Sequence, residues 1–194
     1  MERDDWICEG IVTTVDAAGR VNIAPMGPIV GSRDGVPDWS TLTLRPYDRS
    51  QTYANLDHTP RGVFHVTDDV GLFAEAAIGD SFAETVPVRD QWFRLADCCR
   101  WYAFEVVARH HDHPRETMQV EVRESGTVRE FAGFHRARHA VLEAAILATR
   151  RHLLDPQLIA EELDRWRPLI AKTATSTERD AWTRLEHACR ETAK

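Results

Sequence analysis

Near residue 130 the chain changes texture, and that change limits what it can fold into. From Trp6 to about Glu124, β-branched and aromatic residues come in short runs separated by Gly, Pro and Asp, the pattern of strands joined by turns. From about Phe131 onward the chain is rich in Ala, Leu, Arg and Glu at helical spacing. The expected fold is α+β, a mainly antiparallel barrel over residues 1–130 with a helical extension over residues 131–194 packed on it.

Within the first part, Ile7–Val15 reads as a strand, with a turn from Asp16 to Arg20. Val21–Val30 reads as its return, irregular near Ala24–Gly27 because Pro25 and Pro28 cannot donate to a ladder. Gly31–Trp39 carries loop punctuation, and Ser40–Arg45 alternates Thr and Leu as a half-buried strand does. Ser50–His58 reads as a short helix that Ser50 caps and Pro60 ends. Gly62–Thr67 is a further strand, Leu72–Ile78 a second short helix that Asp69 caps, and Trp92–Leu95, Trp101–Arg109 and Met118–Val122 supply the later strands.

The extension is plainer. Arg136–Leu153 places Ala137, Ala140, Val141, Ala144, Leu147 and Ala148 on one helical face. Asp155 followed by Pro156 opens a helix through Trp166, and Thr175 with Glu178 forms a capping box for a last helix to about Glu191.

Charge narrows the function classes. Asp+Glu 31 against Lys+Arg 24 gives a formal charge of −7, which argues against a general nucleic-acid binder. The longest apolar stretch, Val141–Ala148, is broken by Glu143 and is far short of a membrane span, and the acidic start does not suit a signal peptide. A cytoplasmic protein with no membrane or nucleic-acid partner is expected, its four cysteines free thiols.

The informative stretch is Arg-Pro-Tyr-Asp-Arg-Ser-Gln-Thr-Tyr-Ala-Asn, Arg45 to Asn55. A helix opening at Ser50 bares the amides of Gln51, Thr52 and Tyr53. Ser50 and Thr52 add hydroxyls, and Arg45 or Arg49 adds positive charge, making a small anion site suited to a phosphomonoester. An ordinary capped helix beside a solvated arginine accounts for the same residues. Upstream, Asn22-Ile-Ala-Pro-Met-Gly27 frees backbone groups that suit the edge of a planar, hydrogen-bonding ring, and equally suit a strand leaving its sheet.

These segments together resemble the flavin-reductase group of FMN-binding split barrels. More closely, Gly10-Ile-Val-Thr-Thr14, Asn22-Ile-Ala-Pro-Met-Gly27, Leu44-Arg-Pro46, Thr52-Tyr-Ala-Asn-Leu56 and Thr67-Asp-Asp69 resemble the DUF447 family, and the helix from Arg136 to Arg150 resembles its extension. The resemblance implies a split barrel, a homodimer, and FMN near the subunit interface. It places Ser50, Gln51, Thr52 and Asn55 around the phosphate, Arg45 as cationic partner, and Asn22, Ile23, Ala24, Pro25 and Met26 along the isoalloxazine. Many flavin reductases carry Lys or Arg immediately before the Thr of Ser-x-Thr. Gln51 stands there in this chain, so the burden of neutralisation shifts to Arg45 or Arg49. The implied activity is that of a flavin-dependent oxidoreductase or flavin reductase using a donor such as NAD(P)H. A non-catalytic protein holding flavin or a pterin-like ligand is the alternative, and a barrel serving only as a dimeric scaffold is a third reading.

Other candidates carry less. His110, His111 and His113 read as a solvated hairpin loop, His135 and His139 lack a third ligand, and no metal is expected. His65 reads as a strand histidine satisfied by a neighbour, and Glu143 as one end of an ion pair. Trp39 is a candidate lid over a planar ligand.

Overall fold

The computed structural model describes residues 6–79 and 81–191; the acidic start, residues 1–5, lies outside the described residues. Its strands are β1 (Trp6–Ile7), β2 (Gly10–Val15), β3 (Val21–Met26), β4 (Ile29–Arg33), β5 (Val36–Leu44), β6 (Arg61–Val66), β7 (Thr85–Arg89), β8 (Trp92–Leu95), β9 (Arg100–Asp112) and β10 (Arg115–Thr127). Its helices are α1 (Gln51–His58), α2 (Val70–Ile78), α3 (Arg136–Thr149), α4 (Pro156–Thr173) and α5 (Ser176–Glu191). They form two compact units, one of residues 6–67 and 83–130, the other of residues 68–82 and 131–191. Among the described residues no helix is long and apolar enough to cross a membrane.

The first unit holds one eight-stranded sheet, all antiparallel, in the order β1-β4-β5-β10-β9-β6-β2-β3. The ring of Trp39 on β5 stacks on Tyr102 of β9 at 4.5 Å and on Phe64 of β6 at 6.4 Å. Phe64 is three strand positions away, about 14 Å on a flat sheet, so the sheet must curl. The chain also crosses from β1, at one end of the strand order, to β2, next to last at the other, through only Cys8–Glu9. Three peptide steps span at most about 11 Å, which brings the ends of the sheet together as a split barrel. Inside it lie Val12, Val30, Leu42, Leu44, Phe64, Tyr102, Phe104, Met118 and Val120, with Leu56 of α1 inserted among them.

Several expectations change. Val21–Val30 is not one irregular strand. β3 pairs with β2 in unbroken register from Val15↔Val21 to Gly10↔Met26, Pro25 included. β3 is an edge strand, where a missing N–H costs nothing, and the break falls at Gly27–Pro28. The expected loop Gly31–Trp39 is a β4–β5 hairpin turning on Asp34 (φ 55°) and Gly35 (φ 75°), a backbone shape that Asp-Gly favours. Trp39 therefore sits in a strand and packs in the barrel wall; it is not a loop lid. β7 went unpredicted, and it pairs with β8 as a separate two-stranded ribbon. β9 and β10 run to 13 residues each, well past the expected strands, because backbone pairing continues where the side chains are polar. α3 stops at Thr149 rather than Leu153, and α4 continues past Trp166 through Pro168 to Thr173.

The second unit packs α2, α3, α4 and α5 together. Ala137, Ala140, Val141, Ala144, Ala145 and Ala148 are buried on α3, whose small residues let its neighbours approach closely. Asp69 caps α2, Asp155 caps α4 with Pro156 in the first turn, and the Thr175 amide donates to Glu178 Oε2 at 2.8 Å. Arg138 links two buried carboxylates, reaching Asp68 at 3.2 Å and Glu178 at 3.1 Å. Burial raises the Glu178 pKa, but the Thr175 hydroxyl and amide and Arg138 outweigh it and hold the group at about 2. Its contribution is therefore present above the ordinary value of 4.5 and is lost as pH falls towards 2. Glu178→Gln should lower stability by about 1–3 kcal/mol at neutral pH and flatten the acid limb of an unfolding curve below pH 4.5.

Candidate functional site

The start of α1 is built from local and long-range contacts. Ser50 has extended backbone (φ −81°, ψ 152°); its hydroxyl accepts from the Tyr53 amide at 3.1 Å and donates to the Tyr47 carbonyl at 2.7 Å. The amides left over are those of Gln51, which is exposed, and Thr52, which is buried at 4% exposure; neither has a hydrogen-bond partner among the described residues. Asn55, 2% exposed, donates to Thr14 Oγ1 of β2 at 3.0 Å and accepts from Gln51 Nε2 at 2.6 Å, bolting the helix to the barrel. At the far end Arg109 donates to the Leu56 carbonyl and to Asp57, both at 2.6 Å, placing a cation on the carboxyl end of α1.

β3 joins this group through Asn22, whose Nδ2 donates to Thr52 Oγ1 at 3.3 Å. Ala24 and Met26, on the same face of β3 as Asn22, pack against the barrel core, while Ile23 and Pro25 fall on the opposite face. As the last strand of the order, β3 also turns alternate backbone groups away from β2. The first turn of α1 and one edge strand are thus tied together, bringing the amides of Gln51 and Thr52, the Thr52 hydroxyl and the outer side of β3 into one neighbourhood.

Five of the sequence-derived residues, Asn22, Ser50, Gln51, Thr52 and Asn55, meet here. Ser50 spends its proton on Tyr47, so it shapes the helix start and offers no hydroxyl donor. Arg45 lies elsewhere: its guanidinium pairs with Asp112 at 3.2 Å, and its carbonyl accepts from Arg115 at 2.7 Å. Arg49, exposed beside Ser50, has no ion pair or hydrogen bond among the described residues, and is the better-placed cation. Sequence reasoning missed Thr14, whose role as anchor for Asn55 depends on a contact spanning 41 residues and leaves no local signal.

Other candidates settle into structural roles. His65 is fully buried between the Ile11 carbonyl (3.0 Å) and the Leu95 amide (3.1 Å), out of reach of any ligand. His135 caps α3 through the Arg138 amide, and His139 faces Glu143 at 3.9 Å, so these two histidines do not share a site. In the helical unit, a hollow of about 220 Å³ opens between α4 and α5 beside Ile159, Leu163 and Cys189. Its charged rim is self-paired, with Arg167 and Arg190 both on Glu186.

Comparison with known proteins agrees with this architecture. An FMN-bound DUF447 protein from Methanosarcina mazei superposes with a TM-score of 0.78 at 22% identity, covering 94% of each chain. The flavin reductase of styrene monooxygenase from Pseudomonas putida gives 0.52 at 14% identity, over 64% of this chain and 82% of that one. A flavoredoxin from Methanosarcina acetivorans gives 0.52 at 10%, over 63% and 69%. At these identities the likeness establishes a shared fold. Residues 8–129 match the family described as protein of unknown function (DUF447), N-terminal domain, and residues 135–187 match the remainder of the DUF447 description. With both parts matched in order, the chain belongs to the DUF447 family.

Proposed function

We propose that the barrel unit binds FMN and that the protein is a flavin-dependent oxidoreductase of flavin-reductase type, drawing electrons from a donor such as NAD(P)H. The observation that carries the reading is the pair of unpartnered amides, Gln51 and Thr52, at the start of α1, flanked by the Thr52 hydroxyl and by Arg49. A phosphomonoester dianion asks for several N–H or O–H donors and a nearby cation, and this donor set fits it. The DUF447 protein from Methanosarcina mazei, of the same fold and family, is FMN-bound, which supports the same ligand here.

FMN, when bound, supplies one- and two-electron redox chemistry. The protein's share is binding and orientation. Gln51 and Thr52 hold the terminal oxygens, Asn22 fixes the Thr52 hydroxyl, and β3, with Ile23, Ala24, Pro25 and Met26, runs along the ring. Asn55 ties the middle of α1 to β2 and Arg109 holds its carboxyl end, so that these donors stay aimed. Arg45, paired with Asp112, leaves the neutralisation of the phosphate to Arg49. The reading also carries a homodimer, which a mass measurement in solution checks.

Freshly purified protein is expected to be yellow or to take up added FMN with a dissociation constant on the order of micromolar or below. Anaerobic NADH or NADPH is then expected to bleach it. A protein that stays colourless in excess FMN defeats the cofactor; colour that no nicotinamide bleaches defeats the donor.

A further inference from the structure

The tip of the β9–β10 hairpin and the loop before α1 bring together a group of side chains that flavin binding does not use. The ladder between β9 and β10 continues to Asp112↔Arg115, leaving His113 and Pro114 as the turn. Loop residues lie along this tip almost as an added strand. The Asp48 amide donates to the Pro114 carbonyl at 3.1 Å, the Glu116 amide donates to the Pro46 carbonyl at 3.0 Å, and Tyr47 bridges Arg115. Backbone pairing on both sides therefore fixes where the side chains of residues 48, 111, 113 and 116 emanate.

His111, near the end of β9, and His113, in the turn, hold their rings close together, with centroids 6.4 Å apart. Asp48 is brought to the same side, and one potential ligand atom from each of Asp48, His111 and His113 lies within 4.8 Å of the others. Each imidazole already faces a carboxylate: His113 Nδ1 is 2.7 Å from Asp48 Oδ2, and His111 Nδ1 is 2.9 Å from Glu116 Oε2. Glu116 is buried at 7% exposure, so its carboxylate is held in place, while both imidazoles are open to solvent. Two neighbouring cations are engaged elsewhere. Arg45 pairs with Asp112, and Arg115 lies 4.0 Å over the Tyr47 ring. Two carboxylates thus face two imidazoles directly.

We propose that Asp48, His111 and His113 form a binding site for a first-row divalent metal ion, with Zn²⁺ the best matched. Imidazole nitrogen with carboxylate oxygen is a borderline donor set that suits Zn²⁺, and disfavours Mg²⁺ and Ca²⁺, which prefer all-oxygen shells. Three protein ligands fill three corners of a tetrahedron and leave the fourth to water. Glu116 accepts the Nδ1–H of His111, which fixes that tautomer and leaves Nε2 as the ligand atom, the usual outer-carboxylate arrangement. Between Asp48 and His113 the ion takes the place of the direct hydrogen bond. Their 2.7 Å separation opens to about 3.3 Å, the edge of a tetrahedron with bonds of about 2.0 Å. The exposed His113 ring makes that adjustment by a small rotation.

The test uses the full chain, freed of any histidine tag and stripped with a chelator. Calorimetric titration with ZnCl₂ is expected to give one ion per chain, and Co²⁺ to give the visible bands of a tetrahedral nitrogen–oxygen site. His111→Gln with His113→Gln should weaken binding at least about tenfold, and Glu116→Gln by about tenfold, with unchanged far-ultraviolet dichroism. His110→Gln, outside the group, should leave binding intact. The proposal is overturned by no Zn²⁺ uptake at millimolar concentration, by equal binding in the double variant, or by loss of binding in His110→Gln. A near-ultraviolet cobalt–thiolate band would move the ion to the cysteines and overturn it as well.

Discussion

Replacing His65 by leucine is expected to cost about 3–5 kcal/mol of barrel stability, the largest single-residue effect in this protein, because it strands two buried backbone groups. The His65 ring has no exposed surface. Its Nε2 accepts from the Leu95 amide, which puts the proton on Nδ1, and Nδ1–H donates to the Ile11 carbonyl. One ring thereby satisfies groups on β2 and β8 from its seat on β6. Leucine supplies the volume and neither hydrogen bond. Gly10 sharpens the constraint: a Cβ there would lie 2.3 Å from the His65 carbonyl, so the two strands cannot shift apart to admit water without losing that close approach. The same residue sets a pH window. Burial lowers the His65 pKa from 6.5 to about 4, with Arg94 adding to the effect and the Ile11 hydrogen bond opposing it. The unfolded chain therefore takes up a proton below pH 6.5 that the folded chain refuses until about pH 4. Stability is intact above 6.5 and erodes across that window by about 3 kcal/mol. Urea unfolding followed by tryptophan fluorescence at pH 7.5, 5.5 and 4.5 measures it. His65→Gln should start less stable and vary less with pH. An unchanged slope would show that His65 is not the titrating group.

What could be read from the chain in advance follows the range of the interactions involved. α1, α4 and α5 were legible because their signals are local: Ser50, the Asp155–Pro156 pair, and Thr175 with Glu178 each act within one turn. Pro25 misled because whether a proline disturbs a strand depends on the strand's place in the sheet, and nothing near residue 25 says that β3 is an edge. Asp34–Gly35 is both loop punctuation and a hairpin turn, and only the pairing of the flanking strands separates the two. The facing ends of β9 and β10 beyond the expected strands, His110–Asp112 and Arg115–Thr117, are all polar, so their ladder left no periodicity to find. The site divides in the same way. Ser50 to Asn55 is contiguous and was visible as a unit, whereas the engagement of Arg45 depends on Asp112, 67 residues away at that polar end of β9. The grouping of Asp48 with His111 and His113 was hidden for the same reason.

Charge at position 51 gives the sharpest test of the flavin reading. Gln51 is exposed in the first turn of α1, and its side chain makes one hydrogen bond, to Asn55. Gln51→Lys is expected to tighten FMN binding about thirtyfold and Gln51→Glu to weaken it about thirtyfold, each near 2 kcal/mol for one charge beside a phosphate dianion at the protein surface. Stability should move the other way. A carboxylate in the first turn of a helix favours it by about 0.3–1 kcal/mol, and an ammonium there opposes it. Damage to the fold would weaken binding and stability together, so the opposed signs separate electrostatics at the phosphate from any loss of structure. Riboflavin, which lacks the phosphate, supplies the control, and its affinity should be nearly the same for all three proteins. Raising the salt concentration should compress the spread with FMN and leave riboflavin unaffected. If the three proteins bind FMN equally, or if riboflavin shows the same spread, the start of α1 is not where the phosphate sits, and Gln51 and Thr52 lose their proposed role.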